Sequence, residues 1–125
     1  MFINRIINYI HRKMEIDRLK KEKHLFIAKN VDIHNVCFDR YVNIAHHAQI
    51  TDSEIGLRSS IRRYTKVRNA IIGKYCSISW DVTIGAVGHP MKAISTHAFS
   101  FRNKFGLVNE NIMLQHKQCV LGNDV

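Results

Sequence analysis

The side chains best suited to chemistry in this chain gather in one stretch, residues 86–119. It holds His89, Lys92, Ser95, Thr96, His97, Arg102, Asn103 and Lys104, with Phe99, Phe101 and Phe105 alternating among them. A neutral imidazole, with an ordinary pKa near ~6.5, can take the proton of a hydroxyl as that oxygen attacks an electrophile. His89, in Gly88-His89-Pro90, fits this role; the competing reading is a loop histidine that hydrogen-bonds locally. His97, with Ser95 and Thr96, is a candidate contact for the molecule that donates the hydroxyl; the competing reading of His97 is that it is incidental. Trp80, just before the stretch, either flanks that pocket or covers the surface beneath it. His34 and the pair His46-His47 have no third ligand at metal spacing, so no metal is expected. Cys37, Cys76 and Cys119 are odd in number and lack CxxC spacing, which points to a reducing, cytoplasmic compartment.

What must position these groups is a repeat. Ile27, Ile44, Ile61 and Ile78 recur at every seventeenth position, as do Ile33, Ile50, Val67 and Ile84, and Phe38, Ile55 and Ile72. All eleven are apolar in a chain that is 46% apolar, so the period is a property of the fold. Two residues before these positions stand small or β-branched residues: Val31, Val36, Val42, Ala48, Ser53, Ser59, Thr65, Ala70, Cys76 and Val82. In a strand, residues i and i−2 face the same way. The chain therefore reads as three short strands per turn, each turning one large and one small side chain inward. That is a parallel β-helix over residues 25–125. The count would place the next column member at 89, where His89 stands; the pattern resumes only at Val120-Leu121-Gly122. A long excursion inside a compact repeat commonly carries function.

Residues 1–24 differ from the rest. They carry seven basic and three acidic side chains, and Phe2, Ile3, Ile6, Ile7, Ile10 and Met14 recur at helical spacing. This is a basic amphipathic helix whose apolar stripe is expected to pack on the body, with contact to an anionic membrane as the alternative. No apolar run approaches the roughly 20 residues of a membrane span. The whole chain, 125 residues, carries 19 Lys and Arg against 10 Asp and Glu, a net +9. Such charge suits an anionic partner; the competing reading is that it aids solubility. No nucleic-acid motif or aromatic platform interleaved with basic residues accompanies it, so nucleic acid is not an expected partner.

Ile55-Gly56, Ile61, Val67, Ile72-Gly73, Ile78 and Ile84-Gly85 resemble the hexapeptide repeats of the left-handed β-helix acyltransferases. Ile72-Gly73-Lys74-Tyr75-Cys76-Ser77-Ile78 and Gly88-His89-Pro90 resemble the xenobiotic and polysaccharide O-acetyltransferase branch. Ile94-Ser95-Thr96-His97-Ala98-Phe99 is similar to that branch's loop, with Ala98 where Pro is common. The resemblance implies a left-handed coil and a homotrimer with its sites at subunit interfaces. It also implies acetyl-CoA as co-substrate, lying in the groove between coils, and His89 as the catalytic base. The acceptor would be a hydroxyl of a sugar or polysaccharide precursor. Leu121-Gly122-Asn123-Asp124-Val125 resembles the start of a further repeat, so the sequence reads as truncated within its coils. An alternative is a truncated, catalytically inactive β-helix serving as a scaffold or trimerisation module.

Overall fold

The computed structural model describes residues 1–125 and is a parallel β-helix preceded by one α-helix. The helix, α1, spans Phe2–Glu22. The coil strands are β1 (Phe26–Ile27), β2 (Asp32–Phe38), β3 (Asn43–Ile44), β4 (Gln49–Ile55) and β5 (Ser60–Ile61). They continue as β6 (Lys66–Arg68), β7 (Ala70–Ile72), β8 (Ser77–Ile78), β9 (Thr83–Ile84) and β10 (Cys119–Leu121). Every pairing is parallel, and until the last strand every partner stands one repeat period along the chain. Ile27 pairs with Ile44, Ile44 with Ile61 and Ile61 with Ile78; Ile33, Ile50, Val67 and Ile84 form a second ladder.

The three columns expected from the sequence are the core. Ile44, Ile50 and Ile61 are fully buried; Phe38, Ile55, Val67, Ile72, Ile78 and Ile84 are nearly so, while Ile27 at the open start is half-buried. Burying each such side chain contributes about 1.5–3 kcal/mol. Of the small-residue positions, Val42, Ala48, Ser53, Ser59, Thr65, Ala70 and Cys76 are buried, and Val31, Val36 and Val82 half-buried.

The hydroxyls among them do more than fill space. Ser59 Oγ accepts from the Cys76 N–H (3.0 Å) and donates to the Gly73 carbonyl (2.7 Å). Thr65 Oγ1 accepts from the Val82 N–H (3.2 Å) and donates to the Ser79 carbonyl (2.7 Å). Ser53 Oγ accepts from the Ala70 N–H (3.1 Å). Each stitches a corner to the next turn, where backbone pairing is interrupted and an orphaned N–H would be costly.

The corners turn through left-handed backbone. His24, Tyr41, Arg58 and Tyr75 occupy one corner, Asn30, His47, Tyr64 and Asp81 the second, and Asn35, Asp52 and Asn69 the third, all with φ between 46° and 60°. Non-glycine residues adopt this conformation at a cost of ~1 kcal/mol or more. Stacking on the outside offsets it: His24 lies on Tyr41 and His47 on Tyr64, each at 5.1 Å, and Asn35 donates to Asp52 Oδ1 at 2.7 Å.

Helix α1 ends where His24 turns left-handed and the Leu25 N–H bonds back to the Lys20 carbonyl, a Schellman closure. Leu19 packs on the core, the Arg12 guanidinium donates to the Ile33 carbonyl, and Lys23 Nζ donates to the Phe38 carbonyl. The helix thus covers the first turn, which has no preceding turn to pair with. Its apolar stripe behaves otherwise than expected. Phe2, Ile3, Ile6, Ile7, Ile10 and Met14 are all exposed and do not pack on the body. At about 100° per residue, the seated residues Arg12, Leu19 and Lys23 lie on a different face from the stripe, so seating one leaves the other outside.

The chain divides into two compact units, the helix and coil (Met1–Gly85 with Gln118–Val125) and the excursion Ala86–Lys117. Cys119, placed in the loop by the sequence pattern, already belongs to β10 and pairs with Ala70.

Candidate functional site

In the excursion, Ser95, Thr96 and His97 form a tight local structure. Ser95 Oγ accepts from the His97 N–H (3.1 Å), and Ser100 Oγ lies 3.0 Å from the Ser95 carbonyl, to which it donates. His97 caps a short 3-10 turn, Ala98–Ser100: its Nδ1 accepts from the Phe99 N–H at 3.1 Å. Its ring stacks on Phe99 at 5.5 Å and meets Phe105 edge-on at 5.3 Å. Farther along, the Asn111 side chain accepts from the Asn103 N–H and the Ile112 N–H bonds the Phe101 carbonyl, closing the second half of the excursion on itself.

His89 is exposed, and its Nδ1 lies 3.1 Å from the Thr96 carbonyl oxygen. A carbonyl only accepts, so Nδ1 must be the donor and carry the proton. In the neutral ring the lone pair then sits on Nε2, free to accept a proton from a bound hydroxyl. His97 has the opposite arrangement: its Nδ1 is the acceptor, so the neutral ring carries its proton on Nε2. Of the two histidines, His89 thus leaves its Nε2 without a partner, whereas His97 shapes the turn.

The structure brings His89 and Thr96 into contact, with Ser95 and His97 in the same turn. Thr96 acts through its backbone carbonyl, a role its side-chain type does not announce. Trp80 belongs to the coil unit, at its second corner, with the Arg63 guanidinium 5.4 Å above its ring. His34 pairs with Asp32 (2.8 Å), and His46 and His47 are exposed at a corner, His47 against Tyr64. No three His, Cys, Asp or Glu side chains come together as a metal-binding group. Cys76 is buried, its thiol 3.1 Å from the Gly122 carbonyl.

A groove of about 450 Å³ runs along the third side of the coil, lined by Lys23, Cys37, Glu54, Gly56, Gly73 and Lys74 among others. Its floor needs glycine: a Cβ on Gly56 would stand 2.5 Å from the Gly73 carbonyl oxygen, and one on Gly73 would stand 2.3 Å from that of Gly122. Comparison of the sequence with family models and curated proteins, and of the structure with solved structures, finds no match.

Proposed function

We propose that the protein is an O-acetyltransferase that moves an acetyl group from acetyl-CoA to a hydroxyl of a sugar or polysaccharide precursor. The observation that carries this reading is the His89–Thr96 hydrogen bond, which leaves Nε2 as the proton acceptor on an excursion from a regular coil. In the reaction the acceptor oxygen attacks the thioester carbonyl carbon while its proton passes to His89 Nε2. The tetrahedral oxyanion then collapses, the carbon–sulfur bond breaks, and the departing thiolate takes the proton from the imidazolium. No protein nucleophile is needed, because the acceptor attacks directly.

The resemblance of the repeats and of Gly88-His89-Pro90 to the hexapeptide acyltransferases supports the same chemistry and a left-handed, homotrimeric assembly. The excursion leaves Met91, Ile94 and Met113 more than four-fifths exposed, apolar area that a neighbouring subunit would cover. Within the excursion, His97, Ser95 and Thr96 are the residues we assign to acceptor binding; Trp80, the further candidate, presents an exposed ring on the coil unit.

The test is thiol release from acetyl-CoA with a panel of oligosaccharide acceptors, comparing wild type with His89→Ala. The variant should lose about 10²–10⁴-fold in turnover, the usual contribution of a positioned base, with CoA binding little changed. A variant retaining more than about a tenth of wild-type turnover places the base elsewhere. A wild type that releases no more thiol with acceptor than without leaves the coil as a scaffold.

A further inference from the structure

The exposed stripe of α1 has an occupant that its surroundings specify. Phe2, Ile3 and Met14 are 65–77% exposed, and Ile6, Ile7 and Ile10 are 43–47% exposed. None of the six packs against the core, whereas Leu19 of the same helix does. Placed at about 100° per residue, the six occupy an arc of about 140°, centred roughly 150° away from the face that seats on the coil. The stripe therefore points away from the body along the first four turns. Asp17 and Lys21 replace the apolar residues beyond Met14 and end it.

Charge says what should cover this face. Residues 1–14 contain Arg5, Arg12 and Lys13 and no Asp or Glu, and the first turn has no acidic residue. Pairing two copies through their stripes would bring two acid-free cationic segments together. Arg12 is held at the Ile33 carbonyl, on the coil side, but an anionic surface would be attracted by Lys13 beside the stripe and by the acid-free segment as a whole. The helix is about 30 Å long at 1.5 Å per residue, and no helix of the chain is long and apolar enough to cross a membrane. Its orientation on a bilayer would thus be in the plane.

We propose that α1 lies along an anionic phospholipid bilayer, its Phe2–Met14 stripe in the acyl boundary and Lys13, Arg18 and Lys21 among the headgroups, with the coil held above. This goes beyond acetyl transfer and stands or falls independently of it.

The experiment uses the full chain and vesicles of phosphatidylcholine, alone or with about 30 mol% phosphatidylglycerol, at low salt. Sedimentation should occur with the anionic vesicles and fall away in high salt. A Phe2→Trp variant, read against wild type to subtract Trp80, should show added emission that shifts to the blue on binding. The double variant Ile6→Ser with Ile10→Ser alters only exposed positions, so its melting temperature should match wild type while its vesicle affinity falls by about tenfold or more. Three results would overturn the proposal. One is no sedimentation with either vesicle. Another is equal binding by wild type and the serine variant, which assigns the attraction to the charge of the coil. The third is a serine variant that lowers the protein's mass in solution without lipid and leaves vesicle binding intact, which gives the stripe to a second copy.

Discussion

At the scale of single residues, two glycines near the site face opposite demands. Gly85 closes the last regular strand with φ of 73°, and a Cβ there would stand 1.7 Å from the Arg68 carbonyl oxygen. Gly88, beside His89, has nothing within 4 Å of that position and no positive φ. Gly85→Ala should therefore cost more than ~2 kcal/mol of stability, and Gly88→Ala within about 0.5 kcal/mol, by thermal or urea melts of the purified chain. Equal losses would mean that Gly85 is not held in this conformation. Sequence patterning marks His89 because it stands where an aliphatic residue is due. It does not reveal that the Thr96 carbonyl selects the tautomer, since that depends on how the chain between the two folds back. Nor could it separate His89 from His97 by role, because both are histidines in a polar loop.

At the scale of elements, the corner hydroxyls set a sharper test than the aliphatic columns. Thr65→Val keeps shape and burial but leaves the Val82 N–H without its partner, so it should destabilise the coil by about 1–3 kcal/mol. A variant as stable as wild type in a denaturant melt would show that water or a backbone shift takes over that N–H. The repeating columns made the strands and their register readable, because burial on one face of a strand imposes a period that survives in the residues themselves. The hydroxyls were readable only as small residues, since their partners belong to the next turn of the coil. For α1, periodicity announced an apolar face and nothing about its cover. Leu19, outside the main stripe, is the residue that seats the helix on the core, helped by Arg12 and Lys23 at the free carbonyls of the first turn.

At the scale of the whole molecule, the excursion is an insertion into an otherwise unbroken count. Cys119 pairs with Ala70 from much farther along the chain than one repeat, and the surplus over a single repeat equals the length of Ala86–Lys117. Every periodic feature resumes after it. Leu121 takes the place beside Ile72 that the count gave to His89, Gly122 stacks against Gly73, and Asp124 turns left-handed as Tyr75 does. Joining Gly85 directly to Gln118 should yield a chain that still folds as a coil, read by β-type circular dichroism and a cooperative melt, but has no acetyl transfer. Loss of cooperative folding in that variant would show that the insert is required by the coil. The same arithmetic bears on chain entropy. Bringing β10 back to its seat closes a loop of roughly thirty residues where other corners close almost none, and each doubling of a loop costs about 0.6 kcal/mol. About five doublings, roughly 3 kcal/mol, therefore weigh against the last strand alone. It should be the first to exchange its amide protons, and the shortened chain, freed of that closure, the one in which β10 is protected longest.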